Sequence, residues 1–564
     1  MTQPATALAA LAIEPLRVLV VALVAVTAIC LVVIADYTGY PGTPSRFWVF
    51  QYLLRTQDVA GSVFLIGLVF AACFEPAGRA GLHFVDALSR HPWRGAGLTF
   101  VGLCLGSFYV EHNHPLAQDE YAALFQSRVF AEGHLTGQFP PDLVGRLIPP
   151  IYLNHFLFAS LQTGEVASAY WPGFALLLTP FTALGIPWAC NPLLASAALV
   201  LMGALAERLC GAKQARGWAM LLALGSPGFT AMAITYFSMT AHLLLNLAFA
   251  WLVLGRTPLR LFLAGLLGAW ALALHNPVPH ALFALPWVVW LALQPQPLRH
   301  LLPLAAGYVP LGAFLGLGWA LVLSAVQGAT HYGLYPEAGA QQRVANFLWE
   351  WFVRVQSALA GPGERLLATR FAELARLWCW AVPGLPLFAA AGWWLSHRIL
   401  GARLLGISLL STFAGFLLVG FDQGYGWGAR YLHSAWGALP VLAAIALAAD
   451  APPRWSSLAL YVAGLALLSA VLASALRAGQ IHDYVSAHLA KRPASLAGVR
   501  QIVFVRYDPA NYTADLVQND PFLRGKVWYF FSLGPRVDEQ LMHRRFPGAR
   551  LVTRDARGET WRLD

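Results

Sequence analysis

"EHNHPLAQDEYAALFQSRVF" (residues 111–130) sets three acids, two histidines and an arginine directly behind the apolar run 94–110. Within "QDEYAALFQSRVFAEG", Tyr121, Leu124, Phe125 and Val129 recur at helical spacing and Gly133 supplies a stop, which predicts a helix beginning near Asp119 and Glu120. Neighbouring residues on a helix diverge by about 100°, so the two carboxylates cannot address one substrate atom equally. One is expected to act and the other to support it. The plainer reading makes Asp119 an N-cap, its carboxylate on the first backbone N–H groups. Against that stands the crowding of His112, His114, Asp119 and Glu120 within nine residues.

Around this stretch the chain is oily. Of 564 residues, 58% are hydrophobic and 11% charged, where soluble domains carry about 25% charged residues. Apolar runs near 16–35, 58–75, 94–110, 190–207, 216–235, 237–255, 260–275, 281–296, 301–326, 377–396, 404–421, 433–449 and 456–475 make thirteen expected transmembrane helices. The shorter stretch 170–185, broken by Pro172 and Pro180, suits an interfacial or re-entrant helix. Leaving it out puts Arg79, Arg90, Arg94, Arg208, Lys213, Arg216, Arg256, Arg260, Arg299, Arg398, Arg403 and Arg454 on one side, which the positive-inside rule makes cytoplasmic. The loops 111–189 and 327–376, the turn "FDQGYGWGARY" (421–431) and the tail from about 476 then lie outside. The first run, from Leu16, has no cleavage pattern behind it and reads as a retained anchor.

The fold class expected is therefore an α-helical polytopic membrane protein with a small exterior α/β domain. Its parts are residues 1–93 (extra N-terminal helices), 94–475 (the membrane core) and 476–564. In that last part "VRQIVFVRYDP", "KVWYFF" and "ARLVTRD" read as strands and "DEQLMHRRF" as a helix. Lys and Arg number 37 against 27 for Asp and Glu. In a membrane protein that excess marks cytoplasmic loops and lipid phosphates, and no nucleic-acid motif accompanies it. The six cysteines lack metal-ligand spacing. Charge within the spans is almost nil and no repeat relates the halves, which counts against an ion-coupled transporter. No GxxxxGKS, GxGxxG or DxD motif indicates a nucleotide-sugar donor.

The span followed by an exterior Asp-Glu-Tyr helix, "FQSRVFAEGHL" and a Pro-containing juxtamembrane helix resembles the GT-C membrane glycosyltransferases. The nearest branch is the bacterial protein-mannosyltransferase-like and aminoarabinose-transferase-like one. "GYGWGARYLHSAWGALPVLAAIAL" (424–447) is similar to its glycine-aromatic-Arg-Tyr turn, and "HNPVPHALFALPWVV" (275–289) to its Pro-rich turn. In that family the acidic loop follows the first span; here it follows the third, so residues 1–93 look like an addition. The resemblance implies inverting transfer of a sugar from a polyprenyl-phosphate donor to an acceptor at the outer face, in a bacterial inner membrane with the site and C-terminus in the periplasm. It makes Asp119 the base and Glu120 its partner. Arg430 is expected on the lipid phosphate, because its planar fork suits that anion, with Tyr431 beside it.

Arg343, Arg354 and Arg370 in the lid-like loop 327–376 are candidates for phosphate or headgroup contacts, and Tyr332 and Tyr335 for stacking on sugar or lipid. His275 and His280 are candidates for substrate hydrogen bonds, each with a structural histidine as the plainer reading; His242 carries the same pair of readings. No cofactor is expected; His112 and His114 are the side chains to hold a divalent ion if one binds. Partners are the lipid-linked donor, an acceptor that the sequence does not identify, and membrane lipid. The competing function is a flippase or transporter of a lipid or lipid-linked sugar.

Overall fold

The computed structural model describes residues 4–37, 52–328, 366–419, 426–448 and 456–563, with 49, 345, 349, 352 and 423 singly. Among these, six helices are long and apolar enough to cross a bilayer: Pro15–Asp36, Tyr52–Ala71, Pro187–Cys210, Pro297–Val326, Leu400–Leu417 and Ser457–Leu489. A seventh forms if Arg430–Trp436 and Ala438–Ala448, bent by 49°, count as one. Val18, Leu98, Phe314 and Trp394 stand more than two-thirds exposed on helices, an apolar surface that water would penalise and lipid accepts. The chain is an integral membrane protein.

The other expected spans are present as shorter or interrupted apolar helices. Met239–Val253, Pro258–Leu272 and Val278–Ala292 have 15 residues each, roughly 22 Å against a 30 Å hydrocarbon layer. The expected 216–235 span is cut at Ser226, after which Pro227 begins a new helix. The 377–396 span is cut between Cys379 and Leu385. A count of thirteen therefore does not follow from helix length. At the other end, Ser457–Leu489 runs 33 residues through a π-helical turn at Ser469–Ala473. This carries the last helix well past the expected boundary at 476.

The N-terminal helices are built into the core. Pro4–Asp36 packs on Val59–Ala71 and Leu366–Cys379, while Glu75–Arg90 packs on Ser456–Leu468 and Lys213–Leu224. Their tightest join is polar. Asp58, 1% exposed, receives Nε1 of Trp380 at 2.7 Å and pairs with Arg376 and Arg477 at 3.2 Å each. A Cβ at Gly61 would overlap the Arg477 guanidinium, so glycine there makes room for the network. Removing one member of a buried ion network strands the rest, at about 3–5 kcal/mol. Asp58→Leu is accordingly expected to lower the thermal unfolding temperature in detergent far more than a lipid-facing Val18→Ala.

Between the apolar helices, short strands β1 (Gly137–Gln138), β2 (Leu157–Ala159) and β3 (Glu165–Ser168) form a sheet in the order β1-β3-β2. The tail builds a second sheet from β4 (Gln501–Val505), β5 (Val527–Phe531), β6 (Arg550–Asp555) and β7 (Gly558–Arg562), in the order β5-β4-β7-β6. The β4–β5 pair is parallel and the others antiparallel, and helix Pro535–Arg545 precedes β6. The three strands and the helix read from the sequence are present; β7 was not foreseen. Nor was the packing. Tyr121, Phe125, Val129 and Phe139 of the acidic loop share one apolar core with Ile502, Phe504, Phe530, Met542 and Trp561 of the tail. Arg146 pairs with the buried Asp538 across the same join, at 2.8 Å. The tail thus fixes the helix that carries Asp119.

Candidate active site

The loop helix spans Gln118–Ala131 and ends before Gly133, whose φ is +76°. His112 and Asn113, at φ +53° and +48°, turn the chain into it from the helix Pro92–Tyr109. Asn tolerates this left-handed region better than most residues. The cap is not Asp119. Glu120 reaches back to the amides of Leu116 and Ala117 at 2.9 and 3.1 Å through one oxygen and to the amide of Tyr236 at 2.8 Å through the other. Both its oxygens are taken by backbone donors. Glu120, expected as the partner of Asp119, braces the start of the helix. Burial pushes its carboxyl up to about 7, against the pull of those three N–H groups.

Freed from capping, Asp119 turns the other way. Its Oδ2 accepts from Arg430 at 2.8 Å, and its Oδ1 accepts from the Tyr170 hydroxyl. Tyr170 in turn stacks with His275, ring centroids 3.9 Å apart. Burial pushes the Asp119 carboxyl up, but Arg430, His275 and Tyr170 together hold it below its ordinary value. His275 is pushed down to about 4, by burial first, so its ring is neutral at pH 7. The hollow bounded by Asp119, Gln126, Tyr170, Phe237, Ser238 and His275 is small, about 10 Å³. That is room for about one water.

Arg430 is positioned by the turn before it. Gln423 receives the Arg430 amide at 2.6 Å, donates to the Gly428 carbonyl at 2.7 Å, and accepts the guanidinium on its own carbonyl at 2.6 Å. Gly426 and Gly428 sit at φ +126° and +62°, values that a side chain resists. Trp427 between them donates to Glu111 at 2.9 Å, and Arg376 of the Asp58 network donates to the Gly426 carbonyl at 2.8 Å. The guanidinium lies 4.6 Å over the Phe237 ring. Residues 311 positions apart thus meet in one buried pair, 8% and 20% exposed at their side chains.

The remaining candidates divide. His275 lines the hollow, but His280 bonds Asn246 and Tyr308 at 2.6 Å each and is structural. Tyr431 stacks on Phe416 at 5.0 Å and lies near enough to Arg430 and Tyr170 to act on both electrostatically. Arg370 is buried against Glu373 and the Val419 carbonyl, so it is not a lid cation. His242 is buried, and neither ring nitrogen has a partner among the described residues. His112 bonds Ser486 at 2.8 Å and lies against His482, whereas His114 meets Arg492 at 3.2 Å; the two do not converge. No group of three metal-type side chains occurs among the described residues. Arg343, Arg354, Tyr332 and Tyr335 lie outside the described residues, as does most of the loop proposed as a lid.

Sequence reasoning missed Tyr170 and Gln423. Tyr170 is set by contacts distant in sequence: Trp319 donates to its carbonyl at 2.8 Å, and Trp171 and Gly173 bond back to His275 and Ala273. Tyr170→Phe is expected to raise the Asp119 pKa by removing a donor to the carboxylate. If Asp119 must be ionised for turnover, the acid limb of the pH–rate profile then shifts to higher pH. An unmoved limb would show that Tyr170 does not tune it.

No family model and no curated protein matches the chain. Its structure is similar to two crystal structures of ArnT from Cupriavidus metallidurans, one bound to undecaprenyl phosphate and one in the apo state, at 14% identity, with 84% of this chain and 98% of that chain covered and TM-scores of 0.48 and 0.45.

Proposed function

We propose that the chain is an inverting glycosyltransferase of GT-C type, moving a sugar from a polyprenyl-phosphate donor to an acceptor hydroxyl at the outer face of the membrane, with Asp119 as base. The observation that carries this reading is the Asp119–Arg430 pair, which joins the loop and the turn expected outside the membrane. A carboxylate beside a fixed cation supports it, since transfer from a lipid phosphate needs a proton acceptor and a cation together. In the transfer, the acceptor oxygen bonds to the anomeric carbon as the bond from that carbon to the phosphate oxygen breaks. The phosphate keeps the electron pair, and the acceptor proton passes to Asp119.

At rest the pair is closed on itself and the hollow is too small for a sugar. Donor binding must therefore open it. A lipid phosphate competes with Asp119 for the Arg430 guanidinium, being the same kind of acceptor and carrying at least one negative charge. Once Arg430 turns to phosphate, Asp119 loses its strongest charge partner, its pKa rises, and its Oδ2 is free to take a proton. Donor binding thus switches on the base. A carboxylate is a weak base toward a free hydroxyl, but that hydroxyl acidifies as it bonds the electron-poor anomeric carbon, so a late proton transfer suffices.

The test is incubation of the purified protein with a panel of polyprenyl-phosphate sugars. The reading expects one donor to lose its sugar in wild type and not in Asp119→Asn. Loss that is independent of Asp119 would contradict it. A panel that is moved across vesicles without being cleaved would favour the transporter.

A further inference from the structure

The loop helix separates two cavities. Asp119, Ala123 and Gln126 line the hollow described above. Tyr121, Leu124 and Arg128 line a second cleft, with Asn113, His114, Arg492, Gln518 and Tyr529 among its other walls. Both triplets follow helical spacing, and at about 100° per residue their mean directions put them on opposite faces. The second cleft is also the roomier, about 200 Å³ against about 10 Å³.

Its lining is one-sided in charge, with two arginines, a histidine and no carboxylate. Arg492 is half-buried with its Nε enclosed; it lies 4.8 Å over the Tyr529 ring and reaches His114 at 3.2 Å, yet its Nε has no acceptor among the described residues. A buried charged donor without a partner is costly unless something supplies one. Because Arg492 can only donate, His114 accepts from it and its ring is neutral. Burial, then Arg492, His488, His112 and Arg128 in turn, all push the His114 pKa down, as a positive field does. Hydrogen bonds tie the walls together. The Tyr121 hydroxyl donates to the Asn519 carbonyl at 2.6 Å and accepts its amide at 2.7 Å, Gln518 bonds the Pro115 carbonyl at 2.8 Å, and Tyr236 bonds Asn113 at 2.6 Å.

We infer that this cleft, between the loop helix and the tail domain, is a second binding site that takes a phosphate group, with Arg128 and Arg492 as its cationic walls and His114 and Tyr529 holding Arg492 in place. The site is separate from Asp119 and stands whether or not the transfer reading does. A phosphate on a lipid headgroup and free phosphate offer the same chemistry.

The experiment titrates inorganic phosphate into the full-length protein in detergent by calorimetry. Saturable binding is expected, weakened at least tenfold in Arg128→Gln and in Arg492→Gln, and unchanged in Arg545→Gln, an exposed arginine outside the cleft. Arg492→Lys keeps the charge and covers the event that Arg492→Gln does not fold; it is expected to bind more tightly than Arg128→Gln. Repeating the titration in phosphatidylcholine nanodiscs, with and without phosphatidylglycerol, identifies the source: competition by the anionic lipid assigns the cleft to a headgroup, and unaltered binding assigns it to a soluble phosphate. No saturable binding, or binding lost in Arg430→Gln but kept in Arg128→Gln, would overturn the inference.

Discussion

Asp119→Asn is expected to cut sugar transfer by about 10²–10⁴-fold, the range a positioned general base contributes. The substitution is nearly isosteric. The Asn oxygen can still accept from Arg430 or Tyr170, so the geometry of the hollow should survive. What it removes is the charge. Arg430 is then buried with no counter-ion, and part of the cost of a broken buried pair, about 3–5 kcal/mol, falls on stability. Thermal unfolding of the variant must therefore accompany the rate measurement. A fall in rate with the protein still folded assigns the loss to chemistry, whereas substantial residual turnover would remove Asp119 as the base.

Arg430→Ala is expected to weaken binding of the polyprenyl-phosphate donor by about 10- to 100-fold, since hydrogen bonds to charged groups contribute about 1.5–3 kcal/mol. Arg430→Lys should recover only part of this. Lysine keeps the charge but not the fork, and it cannot reproduce the bonds to Asp119 and the Gln423 carbonyl together. The same substitution to alanine leaves Asp119 buried without its main cation, so the Asp119 pKa rises and the acid limb of any remaining activity moves to higher pH. Donor affinity that is unchanged in Arg430→Ala would take the residue out of the site.

How much of this was legible in the sequence follows from where each signal resides. Local patterns carried the loop helix, its stop at Gly133 and the strand-rich tail, because apolar spacing and glycine act over a few residues. Asp119 and Arg430 stood out as charges in turns between the apolar runs of an oily chain, and the family resemblance ranked them. The role of Glu120 was not legible. Nothing local shows that the Tyr236 amide arrives from 116 residues away to occupy its free oxygen. Tyr170 was hidden for the same reason, being one of many aromatics until Trp319 and the 273–275 turn place it. Residues 1–93 read as an addition because the acidic loop follows the third span instead of the first; that Asp58 would meet two arginines of the core was not legible. The expected spans are not all single helices: Pro227 and the 380–384 break divide runs that hydropathy alone joins.

Binding of polyprenyl phosphate to wild type and to Asp119→Asn, side by side, tests the central claim that the donor's phosphate takes Arg430 away from Asp119. If the carboxylate is the competitor that the phosphate must displace, the variant binds more tightly, by about tenfold for each 1.4 kcal/mol of lost competition. Equal or weaker binding by a folded Asp119→Asn would mean that the two anions do not share Arg430, and would contradict the account.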